Sequence, residues 1–455
     1  MVAASALAPG LAAPFGGAHL GGGPPEDPWR LTCRQYTPCM DARSLPALCP
    51  RPEPSQPSGD PGRGSAVVVC SLEATGPVRR RIQILVDELV ALDASLRVLY
   101  VEPAVDVPQL VARRHLAGLA RPRLRMVSPQ LAVLRPRKWL PRLLGPFADW
   151  SLYRQVERAV RRLGLDQPLL WLNDPGYARW ALGTGRAVLY DITDDWLLAS
   201  MPARVHARLQ RDEDLLLEHA DAVVVCSPEL ARTKGCRRDV DVVPNAVDLD
   251  RYRQHHPRPS DLPGPPSAVY VGTLHEDRLD VALLDELATA LPHVAVVLVG
   301  PSALGRSHSD ALGCHPNVFL LGPRPYDDVP AYLNHADVVI VPHLVNSFTD
   351  TLDPIKAYEC LAAGRPTVAT PVAGFRELGP PVTLAERSEF VEAVRRALAG
   401  GPAAGGDGAV PLDPQAVSLD PQVGGDIPTW TDRARAMARL MERARVSHDR
   451  RGQGR

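Results

Sequence analysis

The chain has 455 residues, 45% of them hydrophobic, and a formal net charge of −1, which fits a soluble globular protein with room for two or three domains. No uninterrupted apolar run reaches the ~20 residues that a membrane span needs. The start, MVAASALAPGLAAPFGG, lacks a basic n-region and is broken by Pro9 and Pro14, so a secretion signal is not expected and the cytoplasm is the expected location. The cysteines at 33, 39, 49, 70, 226, 236, 314 and 360 show neither CxxC pairing nor zinc spacing with histidine, and all are expected to be reduced and structural.

In chain order, residues 1–62 are dense in Pro, Gly, Ala and Ser without periodicity and read as a disordered leader that the fold can lose. Residues 63–250 read as the first domain. Apolar runs at 66–70, 96–101, 168–172, 187–191, 221–226 and 239–244 alternate with helices, notably through 78–92 and 203–219. Short apolar runs separated by helices are parallel strands buried on both faces, a doubly wound α/β unit. The pattern restarts after the proline-rich interval 251–267. Residues 262–400 give strands at 267–272, 293–300, 317–322, 337–342 and 366–370, with helices near 279–290, 327–335, 354–363 and 387–399. Residues 401–427 read as a flexible loop. A C-terminal helix over 428–447 follows, with Trp430, Ala434, Met437, Leu440 and Met441 as its apolar stripe.

Ligands of such a pair of domains bind outside the carboxyl ends of the strands, in the crevice between them. The loop after the first strand, SLEATGP, holds a single glycine, which argues against a nicotinamide or flavin dinucleotide, and no cofactor is expected. In DPIKAYECLAAGRPTVAT, 353–370, Asp353 suits an N-cap, Pro354 the first helical position, and Gly364 the left-handed residue that ends the helix. Lys356 and Glu359 then share a face at i and i+3. One reading is a solvated ion pair. The other is a helix start that holds a phosphate, with a carboxylate one turn on accepting both hydroxyls of a vicinal diol.

Several segments in order resemble the two-domain GT-B glycosyltransferases of family 4, over about 65–445. They are VLYDITDDW (188–196), similar to a segment of the teichuronic acid glycosyltransferase subgroup, DVDVVPNAVDLDRY (239–252), VYVGTL (269–274), NVFLLGPRPYDDVPAYLNHADVVIVP (317–342) and DPIKAYECLAAGRPTVAT. The resemblance implies two Rossmann-like domains facing across a cleft, a nucleotide-diphosphate sugar bound by the second and an acceptor hydroxyl by the first. Glu359 matches the second glutamate of the family's E-x7-E element and is implied to hold the donor ribose. Thr351 stands where the first glutamate is usual. Thr273 and Arg278 stand where the family places an arginine and a lysine after the first strand of the second domain, which makes Arg278 and Lys356 the implied catalytic cations. Gly272, Thr273, Thr351, Asp353 and Tyr326 complete the implied donor side. The usual mechanism retains anomeric configuration without a metal, and the leaving diphosphate takes the acceptor proton, so the protein's task is to stabilise charge on the leaving group.

Three readings of Asp191, Asp194 and Asp195 stand side by side: a wall of the acceptor cleft, with Trp196 beside it, a structural turn, or a D-x-D-like metal site. Between Val111 and Gly145 lie Arg113, Arg114, Arg121, Arg123, Arg125, Arg135, Arg137, Lys138 and Arg142 with no acidic residue. With Trp139, Leu140, Leu143 and Leu144 they read either as an exposed basic face or as a surface resting on anionic lipid at the inner face of the plasma membrane. No nucleic-acid-binding motif accompanies them. The leading expectation is a sugar transferase acting on a cell-surface glycan or glycolipid. The alternatives are a non-catalytic nucleotide-sugar-binding partner subunit and a nucleotide-sugar epimerase of the same fold.

Overall fold

A computed structural model describes residues 65–76, 78–108, 123–138, 145–199, 201–376, 378–400 and 427–453. The expected leader, almost all of the 401–427 loop, and Arg113, Arg114, Arg121, Trp139, Leu140, Arg142, Leu143 and Leu144 lie outside them. Among the described residues no helix is long and apolar enough to cross a membrane.

The first region is built on β1 (Ala66–Cys70), β2 (Arg97–Val101), a small pair formed by β3 (Val105–Asp106) and β6 (Arg137–Lys138), β4 (Leu124–Met126), β5 (Leu131–Leu134), β7 (Leu169–Leu172), β8 (Val188–Ile192), β9 (Ala222–Val225) and β10 (Asp241–Val242). The main sheet runs β10-β9-β8-β7-β1-β2-β5-β4, parallel throughout except that β4 is antiparallel to β5. β1, β5, β7 and β9 are buried at every residue, as continuous Val/Leu runs require when helices cover both faces.

The second region has β11 (Ser267–Val271), β12 (Ala295–Val299), β13 (Val318–Gly322), β14 (Val338–Val341), β15 (Thr367–Ala369) and β16 (Val382–Leu384). They pair in the order β13-β12-β11-β14-β15-β16, all parallel. In both sheets the order reverses at the first strand, between β1 and β7 and between β11 and β14. This is the switch point at which doubly wound sheets open a crevice.

The C-terminal helix, Trp430–Gln453, returns to the first region. Trp430, Ala434, Met437, Leu440, Met441 and Ala444 join the core of the first sheet, beside Leu85 and Leu89 of the Arg81–Leu92 helix. The expected stripe is this contact face, and the helix runs past the expected end at 447.

Other expectations are corrected. β5 and the helices Gly145–Arg162 and Pro228–Gly235 were not anticipated. Arg135, read as part of a basic surface, is half-buried with its Nε 2.7 Å from Glu102 Oε2, and Arg125 Nη2 donates to Thr75 Oγ1 at 2.9 Å. The basic residues flank β5, whose four apolar side chains are core, and Arg125 is exposed. The described cysteines are free. Cys70, Cys226 and Cys360 are buried, while Cys236 and Cys314 are exposed.

Candidate active site

A cavity of about 280 Å³ opens between the two sheets at their switch points. From the first region it is lined by the loop after β1 (Leu72, Glu73), the start of the Arg81–Leu92 helix (Arg79, Arg80, Arg81) and the ends of β7 and β8 (Asn173, Thr193, Asp194, Trp196). From the second it is lined by the end of β11 (Gly272, Thr273, Arg278), His343 after β14, Phe348, Tyr326, and Asp353, Lys356 and Glu359.

Lys356 lies in the first turn of the Ile355–Ala363 helix, which ends at Gly364 in the left-handed conformation, φ 63°. Its ammonium lies against the backbone of Gly272. A β-carbon there would overlap Lys356 Cε and Nζ, and one at Gly300 would overlap the carbonyl of Gly272. The two glycines at the ends of β11 and β12 therefore leave room for the lysine and give the cavity a bare backbone floor. Nζ stands 5.5 Å from the Tyr270 ring centroid, and among the described residues Lys356 forms no ion pair. The solvated Lys356–Glu359 pair is thus not what the structure contains. Burial pulls the Lys356 ammonium below its usual range, Glu359 draws it back up, and Arg278 pushes it further down. Burial likewise pushes the Glu359 carboxyl up, against the pull of Lys356. Beside them His343 is buried with Nδ1 unpartnered. Burial, then Lys356 and Arg278, hold the imidazole well below its ordinary pKa and therefore neutral.

Arg278 reaches the cavity already engaged. Its Nη2 is 3.1 Å from Asp194 Oδ1 across the crevice, and its guanidinium lies 5.3 Å from the Phe348 ring centroid. Phe348 in turn meets Trp196 at 5.9 Å. Asp194 and Trp196 are at the cavity as expected, but the rest of the acidic cluster is not. Asp191 is fully buried on β8, accepts from Trp171 Nε1 at 3.1 Å and faces Arg81 Nη2 at 3.8 Å. Asp195 caps the short Trp196–Leu198 turn and pairs with Lys234 Nζ at 3.1 Å, which also meets Glu213 at 2.6 Å. The strand-end position that put these residues together in sequence points alternate side chains to opposite sides. Among the described residues no three His, Cys, Asp or Glu side chains group as metal ligands.

Thr351 is placed differently from expectation, and Asp353 lines the cavity but not as an N-cap. Thr351 is buried outside the cavity lining. Its hydroxyl donates to the Phe348 carbonyl at 2.8 Å, and its own carbonyl accepts from Ser227 Oγ at 2.6 Å. Asp353 is not the N-cap, a position held by Pro354. The Asp353 carboxylate accepts from the backbone N–H of Asn245 and from Tyr358 at 2.9 Å, while Asn245 Nδ2 donates to the Asp353 carbonyl. Asn245 Oδ1 accepts from Arg81 Nη1 at 3.1 Å. Trp171, Asp191, Arg81, Asn245 and Asp353 so form one buried polar chain under the cavity, joining the two regions.

Glu73, Arg81, Asn245 and His343 were missed as site residues. The signal for the first two was present: three consecutive arginines open a helix whose first turn holds no acidic residue, against the helix dipole, a charge pattern that needs carboxylate partners from elsewhere.

Residues 265–400 match the model of the family described as glycosyl transferases group 1. That stretch holds β11 to β16 and every second-region residue of the cavity. It is a glycosyl transferases group 1 domain. Over 241 residues the chain is 27% identical to TuaH of Bacillus subtilis (strain 168), a protein described as a teichuronic acid biosynthesis glycosyltransferase, covering 49% of this chain and 59% of that one. The chain therefore spans less than two thirds of that relative's length. Among solved structures, sucrose-phosphate synthase from Thermosynechococcus elongatus superposes with a TM-score of 0.57 at 18% identity, covering 86% of this chain and 98% of the other. The catalytic domain of starch synthase IV from Arabidopsis thaliana, bound to ADP and acarbose, gives 0.54 at 10% identity, covering 84% and 99%. The α,α-trehalose-phosphate synthase from Burkholderia xenovorans, in complex with glucose-6-phosphate, gives 0.52 at 13%, covering 86% and 99%. The architecture is GT-B, as the motif order implied, and the group 1 domain is its second Rossmann-like half.

Proposed function

We propose that the chain is a glycosyltransferase that moves a sugar from a nucleotide-diphosphate sugar, held by the group 1 domain, to an acceptor hydroxyl presented by the first domain. The observation that carries this reading is the ammonium of Lys356 at a helix start, without an ion pair among the described residues, over a floor made of the Gly272 and Gly300 backbone. A half-buried cation with no carboxylate at ion-pair distance among the described residues fits an anion supplied by a ligand, and a diphosphate needs both the positive helix end and a close backbone. Glu359, one turn on, then faces the ribose of the same nucleotide. The ADP bound to starch synthase IV is the kind of ligand this reading requires.

As the sugar leaves, negative charge grows on the diphosphate, and Lys356 meets it without reorganisation. Arg278 joins once a ligand releases it from Asp194. No side chain is assigned as base: the leaving diphosphate takes the acceptor proton, configuration is retained, and turnover persists in the presence of a chelator. A role in cell-envelope glycan synthesis is supported by the likeness to the teichuronic acid protein. Contact with anionic lipid at the inner face of the plasma membrane belongs to the same proposal, resting on the run between 111 and 145 that holds basic but no acidic residues in the sequence.

Thermal unfolding against uridine, adenosine, guanosine and deoxythymidine diphosphate sugars tests the reading. One donor at 100 times its dissociation constant should add about 2.7 kcal/mol to stability. No shift with any of them contradicts it.

A further inference from the structure

The first-domain side of the cavity contains a carboxylate that neither the family resemblance nor the donor geometry uses. Glu73 follows β1, and its loop is pinned from below. The Glu73 N–H donates to Ser71 Oγ at 3.0 Å, its carbonyl accepts from the Tyr100 hydroxyl at 3.0 Å, Gln83 Nε2 donates to the Ala74 carbonyl at 2.7 Å, and the Thr75 N–H donates to Glu102 Oε1 at 3.0 Å. One carboxylate oxygen, Oε1, stands 3.8 Å from Arg80 Nη1. The other, Oε2, is buried at the cavity without a hydrogen-bond partner. A fixed loop presenting an unsatisfied acceptor is a built feature, because a buried carboxylate oxygen left unpaired costs stability unless a ligand completes it.

The surroundings specify that ligand. Arg79 is paired with Asp87, Arg80 with Glu73 and Arg81 with Asp191, so the arginine run leaves no cation of its own for an anionic group. A phosphate ester here would face the Glu73 carboxylate, and repulsion would exclude it. A hydroxyl would donate to Oε2. We propose that Glu73 holds a hydroxyl of a neutral sugar acceptor and thereby positions it opposite the donor bound at Lys356. The assignment rests on the sugar-transfer reading of the cavity and adds the acceptor's class and the residue that holds it.

Burial pushes the Glu73 carboxyl up to about 7, with Arg80 drawing it down, Asp194 pushing it up and Arg278 drawing it down. Tyr100 and Glu102 are the other titratable groups packed against the loop. Acceptor binding should therefore strengthen as pH rises through about 7, when the carboxylate forms.

The test titrates wild type, Glu73→Gln and Glu73→Asp with methyl glucopyranoside, galactopyranoside and mannopyranoside, and with glucose 6-phosphate, by saturation-transfer NMR across this pH range. UDP, ADP, GDP and dTDP are titrated in parallel. The expected result is that a methyl glycoside binds wild type with the stated pH dependence. Glu73→Gln should weaken it about tenfold or more and flatten the profile. Glu73→Asp should weaken it and keep the profile, and nucleotide affinity should be unchanged in both. Equal, pH-independent glycoside binding in all three proteins, no glycoside binding, or preference for glucose 6-phosphate overturns the assignment. Failure of wild type to bind any nucleoside diphosphate contradicts the sugar-transfer reading instead, and the glycoside titrations still decide the role of Glu73.

Discussion

On the first-domain side of the cavity, Arg81 faces Asp191 and Arg80 faces Glu73, and behind them Lys234 sits between Asp195 and Glu213. On the second-domain side, Lys356 lies over bare glycine backbone and forms no ion pair among the described residues. Both sides bury charge, but among the described residues only the first holds its buried cations in ion pairs, whereas Lys356 on the second has none. A buried cation held by two carboxylates cannot be removed cheaply, since removing one partner strands the others. A buried cation with none lowers stability, and is tolerated where a ligand brings the countercharge. The contrast separates residues that build the crevice from those that work in it, and each prediction below perturbs one side or the other.

The largest effect is expected from Lys234→Met. It leaves Asp195 and Glu213 buried without a cation, which should lower unfolding free energy by about 3–5 kcal/mol, measured by urea denaturation. Lys356→Met should behave in the opposite way: a kcat lower by about 10- to 1,000-fold with a melting temperature no lower than wild type. Equal stability loss in the two variants would erase the distinction. Glu359→Gln should mainly raise the donor KM, by roughly tenfold, with kcat nearly unchanged, because the ribose it faces does not change during reaction.

A separate effect is a pH dependence of stability at Glu73. Its carboxyl titrates near 7 in the folded chain against 4.5 as a free side chain, so between these values the folded state binds more protons than the unfolded state. Its contribution to stability is full below 4.5 and is lost as pH rises through about 7. Glu73→Gln has no such loss, so its stability relative to wild type should increase across that window in paired denaturation curves. A constant difference would place Glu73 in water rather than at a buried wall.

The fold was legible because its signals are local and repeated. Val/Leu runs such as AVVVC and AVVLV declare buried parallel strands, and Gly364 with Pro366 marks a helix end whatever surrounds it. β5 was not legible, since its four apolar residues stand among arginines whose carboxylate partner, Glu102, is distant in sequence. In the site, Lys356 and Glu359 were read from their own helix, while Gly272 came only through the family resemblance. Asp191, Asp195 and Thr351 were misplaced for one reason: their side chains are claimed by Arg81, Lys234 and Phe348, contacts that spacing along the chain does not encode. Asp353 lines the cavity yet shows the same limit, since its spacing suits an N-cap while its carboxylate serves a junction with the first domain.

The central claim is that Lys356 has no ion-pair partner among the described residues because a donor diphosphate pairs with it. Isothermal titration of wild type and Lys356→Met with UDP, ADP, GDP and dTDP tests it without knowledge of sugar or acceptor. The account predicts that at least one nucleotide binds wild type and binds the variant about tenfold or more weakly, since a charged hydrogen bond to phosphate is lost. Binding of that nucleotide with the same affinity to both proteins would contradict it.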